Sequence, residues 1–310
     1  VATLTHALLL SAGLGTRLRP LTLVRAKPAI PVAGEPLARR IIRWLAAAGV
    51  TDVVLNLHHR PDTIAAVVGD GSDLGVRARY SWEQPVILGS AGGPRQALDI
   101  VGADTFLIVN GDTLTDVELG PLVDAHVASG ALVTLAAIPN PRPDHYSGLR
   151  LAADGAVLGV EPRGSSVPSF HFIGLQVAHR SAFDAAPLGT PSSSVGGIYD
   201  ALIASQPGSV RAHVCTARFW DIGTVDDYWR TSRDFAAAEP AAPGPAMGRG
   251  ARLVDSVVWN DVVLGEASHV SRCIVTDGVH VEPGATYDQM ILLRGDDGRT
   301  LVEPLTVETR

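Results

Sequence analysis

Residues 7–18 read Ala7-Leu8-Leu9-Leu10-Ser11-Ala12-Gly13-Leu14-Gly15-Thr16-Arg17-Leu18. An apolar run that breaks into small residues and glycines is the pattern of a buried strand feeding a tight loop, so a strand is expected over 7–11. Working outward, a helix is expected over 35–48, because Leu37, Ile41, Leu45 and Ala48 share one face and Gly49 ends it. A strand over 52–57 follows, then a helix from Pro61 to just before Gly69 and a short strand over 76–80. The next helix is expected from the Gly92-Gly93-Pro94 turn to residue 100, followed by a strand over 105–109. A helix with Leu119, Leu122, Val123 and Val127 inward then leads to a strand over 132–137. Strand and helix in turn imply an α/β fold, a Rossmann-like mixed but mostly parallel sheet with helices on both faces. Ligands of such sheets bind beyond the carboxyl ends of the strands, which points to the loops after Leu10 and Val109.

Residues 139–209 are rich in Pro, Gly and Ser and are expected to hold mixed strands in a substrate-side lobe. The stretch Glu239-Pro240-Ala241-Ala242-Pro243-Gly244-Pro245 has linker composition. The expected division is a catalytic domain over 1–238, a linker over 239–246 and a second domain over 247–310. In that second domain a 17-residue offset carries Met247-Gly248 onto Leu264-Gly265. It also carries Val257-Val258 onto Ile274-Val275 and then Ile291-Leu292, and Val262 onto Val279. Coils too short to bury their own apolar row must stack, so a short β-solenoid of hexapeptide type is expected, with an irregular β-rich tail as the other reading.

A net charge of −7 argues against a protein that lives on phosphate neutralisation along nucleic acid, while leaving room for one local anion site. Cys215 and Cys273 are too few for a disulfide framework and are not spaced as a zinc site. A reducing, cytoplasmic setting is the expectation. The run Ala7–Leu10 lacks the basic segment of a signal peptide, and no stretch reaches the ~20 apolar residues of a membrane span. Of the 25 basic residues only Lys27 is a lysine. A compact ammonium suits a phosphate as a point charge in a way a planar guanidinium fork does not.

The loop after the first strand fails the dinucleotide fingerprint, since Leu18 stands where the third glycine belongs, and it lacks the Gly-Lys-Ser/Thr of a Walker loop. It does bring small residues, Thr16, Arg17 and Lys27 close together in sequence, which favours anion binding over a plain turn. Asn110-Gly111-Asp112 places a carboxylate at a strand end, and Asp221 lies among apolar neighbours in Phe219-Trp220-Asp221-Ile222-Gly223. Mg²⁺ commonly takes one or two carboxylates plus substrate phosphates, although an Asn-Gly-Asp turn is also common on surfaces. His58 and His59 have no spaced partner to complete a metal site and read as structural.

The segment Ser11 to Arg17, with Leu21-Thr22, Lys27-Pro28 and Pro31-Val32, resembles the signature of sugar-1-phosphate nucleotidylyltransferases. The resemblance continues through Leu88-Gly89-Ser90-Ala91-Gly92-Gly93, Asn110-Gly111-Asp112 and Trp220-Asp221-Ile222-Gly223-Thr224. The repeat tail resembles the left-handed β-helix of members described as mannose-1-phosphate guanylyltransferases. The resemblance implies a Mg²⁺-dependent enzyme that joins a nucleoside triphosphate to a sugar 1-phosphate and releases pyrophosphate. GTP and mannose 1-phosphate are the implied substrates. A uridylyl- or thymidylyltransferase acting on a hexose or amino-sugar 1-phosphate is the near alternative. A catalytically silent nucleotide-sugar-binding regulator is the alternative from another class.

By the same resemblance, Gly13, Gly15, Thr16 and Arg17 hold the triphosphate, Lys27 meets the α-phosphate, and Asp112 and Asp221 bind Mg²⁺. Ser11, Ala12, Glu83 and Gly89 fall on the base and ribose side, and Gly148 and Glu161 on the sugar side. The chain departs from its relatives at Glu161-Pro162-Arg163, where many have Glu-Lys-Pro, so the second lysine's role is absent or passes to Arg163. It departs again at Phe170-His171-Phe172-Ile173-Gly174, where relatives often carry Asn before Ala-Gly-Ile. The implied partners are the two substrates and further copies of the chain, joined through the apolar edges of the repeat tail, with neither nucleic acid nor membrane.

Overall fold

The computed structural model describes residues 4–239 and 244–307, so residues 240–243 of the expected linker lie outside the described residues. The chain forms two compact units, and neither is continuous in sequence. The first takes the chain up to Leu14 and then Ala38–Trp220; the second takes Gly15–Leu37 and the chain from Asp221 onward.

The first unit is built on a nine-stranded sheet. Its strands are β1 (His6–Leu10), β2 (Asp52–Leu57), β3 (Arg77–Trp82), β4 (Thr105–Asn110), β5 (Val133–Pro139), β6 (Gly148–Leu151), β7 (Val157–Glu161), β8 (Phe170–His179) and β9 (Val210–Val214). Their order is β7-β6-β8-β4-β1-β2-β3, with β5 pairing β8 and β9. The run β4-β1-β2-β3 is parallel, as is β5 with β9, whereas β8 runs antiparallel to β4, β5 and β6. Successive side chains of β1 point to opposite faces, yet Ala7, Leu8 and Leu9 are all 0% exposed, so both faces of the sheet are covered there. Each leucine buried in this way contributes about 1.5–3 kcal/mol.

The helices of this unit are α1 (Leu37–Ala47), α2 (Pro61–Val68), α3 (Gly89–Val101), α4 (Leu119–Ser129) and α5 (Tyr199–Ser205). Helix α1 buries Leu37, Ile41, Ile42 and Leu45, and Gly49 follows it with a positive φ. Two sequence expectations are corrected. Helix α3 starts at Gly89 and runs straight through the diglycine, because the Ser192 carbonyl accepts from the Ala91 and Gly92 amides and so supports the first turn. The small residues there serve close packing: a Cβ on Gly93 would strike Glu83 Oε1 and lie 2.7 Å from Asn56 Nδ2. In α4 the inward residue is His126 and Val127 is 62% exposed.

Residues 139–209 hold the mixed strands expected of them, and β6, β7 and β8 join the same sheet as the parallel run. The ten-residue strand β8 shifts register between Phe172 and Gln176, where Gly174 adopts φ +79°. That irregularity lets one strand serve several neighbours.

The second unit begins with short turns at Thr16–Leu18, Leu21–Val24 and Lys27–Ala29, and a minimal hairpin of Pro31–Val32 with Glu35–Pro36. Ala33 and Gly34 both have positive φ in the connecting turn, as a two-residue hairpin loop requires. Helix α6 (Val225–Ala238) opens on a reciprocal capping box of Thr224 and Asp227. Beyond it stand three parallel ladders, with Ala246, Val263 and His280 in register on one, Arg252, His269 and Thr286 on the next, and Val257, Ile274 and Ile291 on the third. The 17-residue step expected from the sequence holds at every rung. Leu264, Val270, Val275, Val279 and Leu292 fill the interior, and Thr300–Pro304 turns back antiparallel on Met290–Arg294.

Two buried imidazoles in the first unit tie stability to pH. Burial pushes His126 below its ordinary value, helped by His179, and its Nδ1 lies 3.0 Å from Thr134 Oγ1. Burial also pushes His171 down to about 4; nearby Arg142 and His145 add to this, and a hydrogen bond to the Ser147 backbone opposes it. Both stay neutral in the fold, while the unfolded chain binds protons near 6.5. The contribution of His171 is complete above that pH and is lost as pH falls from 6.5 toward about 4, and that of His126 is lost in the same direction. The melting temperature of the native chain is expected to fall more steeply across that interval than that of His171→Phe; parallel curves in differential scanning fluorimetry would refute this.

Candidate active site

At the carboxyl end of β1 the Ser11 amide donates to Asn56 Oδ1 at 2.6 Å, and Ser11 Oγ donates to the Leu9 carbonyl at 3.0 Å. Asn56 in turn donates from Nδ2 to Glu83 Oε1 at 2.6 Å, and the second oxygen of Glu83 accepts from the Leu88 amide at 2.6 Å. Glu83 is 0% exposed, its amide donates to the Leu57 carbonyl, and its carbonyl lies 2.8 Å from His58 Nδ1. A buried carboxyl is tolerated only with its oxygens satisfied, and here both oxygens are taken by protein donors. The ends of β1, β2 and β3 and the start of α3 are thereby fixed to one another. His58 has the structural place expected of it.

From this anchor the chain climbs outward, with Ser11 and Ala12 buried and Gly13 exposed, and a Cβ on Gly13 would meet nothing within 4 Å. Gly89 follows Leu88 at φ +76°, and a Cβ there would lie 2.8 Å from the Ser192 carbonyl. At the end of β4 the Gly111 amide donates to the Leu10 carbonyl, which carries the parallel ladder one step further and presents half-buried Asp112 beside it. Thr113 Oγ1 donates to Asp112 Oδ1 at 3.3 Å.

Of the sugar-side residues, Gly148 is buried, and a side chain there would collide with Ser169 and approach Asn140 Nδ2 to 3.1 Å. Glu161 accepts from Ser165 Oγ at 3.1 Å and pairs with Arg150 at 3.3 Å, while Arg163 stands exposed in the following turn. Sequence reading missed an aromatic cluster nearby. The Tyr146 ring lies 4.1 Å from His171, His171 lies 5.0 Å from Phe219, and the Arg142 guanidinium covers Tyr146 at 5.0 Å. His171 Nδ1 is buried without a hydrogen-bond partner. These residues are scattered along the chain with no periodic spacing, so only His171 and Phe219 had drawn notice, each for another reason.

The second unit gathers a different set. Gly15 adopts φ +60° and accepts at its carbonyl from Thr22 Oγ1 at 2.9 Å. A Cβ on Gly15 would lie 2.7 Å from Thr22 Cγ2 and 3.4 Å from Lys27 Cβ, so the glycine permits a tight approach of loop to lysine. Thr16 and Arg17 are exposed on the turn that follows, and Lys27 is 9% exposed. The space beside Gly223 is shared by the Arg17 guanidinium and the Asp221 carboxylate, each 3.2 Å from where a Cβ would stand. Arg17 and Asp221 are therefore brought together at Gly223, and Lys27 is brought against Gly15.

Among the described residues no group of three or more His, Cys, Asp or Glu side chains could hold a metal ion by itself. Asp112 lies in the first unit and Asp221 in the second. Single carboxylates of this kind fit a hard cation such as Mg²⁺ that completes its shell with water and substrate phosphates, not an all-protein cage. Among the described residues no helix is long and apolar enough to cross a membrane.

Comparison with known proteins identifies the family. The nucleotidyl transferase family matches residues 6–238. A mannose-1-phosphate guanylyltransferase of Mycobacterium tuberculosis is 30% identical over 298 residues, spanning 91% of this chain and 83% of its own length. A glucose-1-phosphate thymidylyltransferase of Streptomyces griseus is 30% identical over 287 residues, spanning 87% and 80%. The crystal structure of HddC from Yersinia pseudotuberculosis shares the fold at a TM-score of 0.64 and 21% identity, covering 74% of this chain and 98% of that one. The chain belongs to the nucleotidyl transferase family.

Proposed function

We propose that the protein transfers a nucleotidyl group from a nucleoside triphosphate to a sugar 1-phosphate and releases pyrophosphate. The observation that carries this reading lies in the second unit, where Arg17 and Asp221 share the space beside Gly223 and Lys27 stands against Gly15. A phosphate oxygen of the sugar 1-phosphate bonds to the α-phosphorus as the bond to the bridging oxygen breaks, and pyrophosphate leaves with the electron pair. The nucleophile is already an anion near neutral pH, so no general base is needed and catalysis rests on placement and charge. Gly13, Gly15 and Thr16 cradle the triphosphate, Arg17 neutralises the departing pyrophosphate, and Lys27 stabilises charge building on the α-phosphate. Asp112 and Asp221 would be the carboxylates that hold Mg²⁺, whose positive charge would offset that of the phosphate oxygens.

Ser11, Ala12 and Gly89 face the base and ribose, and Glu83, fully buried, acts on them as a positioning residue through Asn56 and Leu88. Gly148, Glu161 and Arg163 serve the sugar phosphate, Arg163 in place of a lysine the chain lacks. GTP with mannose 1-phosphate is the favoured pair, supported by the long match to the Mycobacterium tuberculosis relative. The Streptomyces griseus relative keeps a thymidylyltransferase as the second reading. The ladder stack is read as a left-handed β-helix forming the domain over 247–310, beyond the catalytic domain over 1–238. It is assigned self-association through its last strand, where Leu301 and Val302 are 54% and 43% exposed. The setting is the cytoplasm.

The decisive experiment measures Mg²⁺-dependent pyrophosphate release over a grid of nucleoside triphosphates and hexose or amino-hexose 1-phosphates. Turnover in one column is expected and names base and sugar together; nucleotide binding with no turnover anywhere would favour a silent regulator. Asp112→Asn should lower kcat by roughly 100-fold or more at unchanged melting temperature, since a strand-end metal ligand serves the transition state. Native turnover in that variant would remove the metal assignment. Lys27→Arg should also lose about 100-fold, because a fork cannot replace a point donor in a tight phosphate site, and rates like the native ones would reduce the single lysine to compositional chance.

A further inference from the structure

The turn that carries Lys27 is gripped by the ladder stack. Arg25 makes a two-pronged pair with Asp277, Nε to Oδ2 at 2.6 Å and Nη2 to Oδ1 at 2.7 Å. Its third nitrogen, Nη1, donates to the Ala29 carbonyl at 3.2 Å, so one guanidinium spans the two ends of the turn around Lys27. The Arg25 side chain is only 12% exposed, and its guanidinium lies 5.6 Å from the ring centre of Trp259. Trp259 Nε1 donates to the Tyr228 hydroxyl at 2.7 Å, and that hydroxyl donates to the Pro31 carbonyl at 2.7 Å. Asp277 is itself held, since its Oδ1 accepts from the Asn260 amide at 3.1 Å. Residues 25 and 31, on either side of the turn, are thus tied by side chains of the coils and of α6, and Arg25 in turn holds the Ala29 carbonyl.

We propose that Asp277 and Trp259 are positioning residues for Lys27, so that the ladder stack is part of the catalytic apparatus and not only an assembly module. The inference rests on the assignment of Lys27 to the α-phosphate. A turn of three residues bracketed by Ala26 and Ile30 has only two backbone bonds of its own, Ala29 to Ala26 and Ile30 to Lys27. Such a turn does not fix a flexible four-carbon side chain unaided, and fixed placement is what charge stabilisation of a developing transition state requires. A part-buried two-pronged pair and a buried indole hydrogen bond supply it. Mere stabilisation of the coils is not the whole role, because Asp277 grasps Arg25 as well as the Asn260 amide of a neighbouring coil, and Trp259 reaches Pro31 through Tyr228, so both sides of the lysine turn are held.

Lys27 is the only lysine of the chain, which makes its amine directly observable. The full chain, with no added lysine, is treated with trace acetic anhydride, and acetylation of Lys27 is measured by mass spectrometry against the N-terminal amine. In Asp277→Asn and in Trp259→Phe the Lys27 labelling rate should rise about threefold or more as the turn loosens. With the substrate pair that gives turnover, kcat should fall roughly 10- to 100-fold while the nucleotide dissociation constant moves little. On a Lys27→Ala background the same substitutions should cost nothing further. Unchanged labelling in both variants overturns the proposal, and so does an undiminished loss on the Lys27→Ala background. If Lys27→Ala itself turns over normally, it is the assignment of Lys27 that fails; because the labelling needs no substrate, that outcome is distinct. Trp259→Phe keeps the ring and the charge pair, so it answers the question even where Asp277→Asn fails to fold.

Discussion

The first unit depends on one buried carboxyl. Glu83 is withdrawn from solvent completely, and leaving a buried polar group without its hydrogen-bond partner costs about 1–3 kcal/mol. Its side-chain oxygens therefore dictate what surrounds them: the amide of Asn56, the backbone amide of Leu88, and at position 93 a residue without a Cβ. Asn56 passes the constraint to the Ser11 amide. Three strand ends and one helix start thus share a single arrangement, and the glycine loop leaves β1 from a fixed point. In a parallel sheet, where ligands sit beyond the carboxyl ends of the strands, this is the place where rigidity counts most.

Much of this was legible in the sequence. The strands over 52–57 and 105–109 and the helix from Pro61 came through within a residue or so, because long apolar runs and one-sided helices advertise themselves by period. The 17-residue coils were legible for the same reason, a repeat being a period on a larger scale. Helix α3 misled because Gly-Gly-Pro is ordinarily turn chemistry, and what keeps it helical is the Ser192 carbonyl, about a hundred residues away in sequence. His126 was passed over beside the apolar Val127, since a polar residue turned inward is readable only with its partner Thr134 in view.

The site divides along the same line. Gly15, Thr16, Arg17 and Lys27 are close in sequence, so their proximity in the fold needed no foresight, and Asp112 follows from its strand. Glu83 had been placed on the base and ribose side through resemblance alone, and its complete burial and its bonds to Asn56 and Leu88 left no signal in the sequence. The Tyr146, His171 and Phe219 cluster left no trace, because nothing in the spacing of an aromatic residue says which other one it will meet.

Composition carried a subtler message. A chain of net charge −7 that uses arginine for nearly all its positive charge keeps its one lysine beside a glycine whose missing Cβ leaves only 3.4 Å to the lysine Cβ. Arginine serves at the exposed turn, as Arg17 does, and in the two-pronged pair, as Arg25 does, because both tasks use the fork. Neither task resembles that of Lys27, which stands almost wholly buried with a single nitrogen to present. The boundary of the second unit has the same logic. Residues 15–37 interrupt the first unit's sequence and pack with the coils, and in the role proposed for Lys27 such a segment gains from a scaffold of stacked backbone ladders more than from the mobile loops that usually flank a sheet.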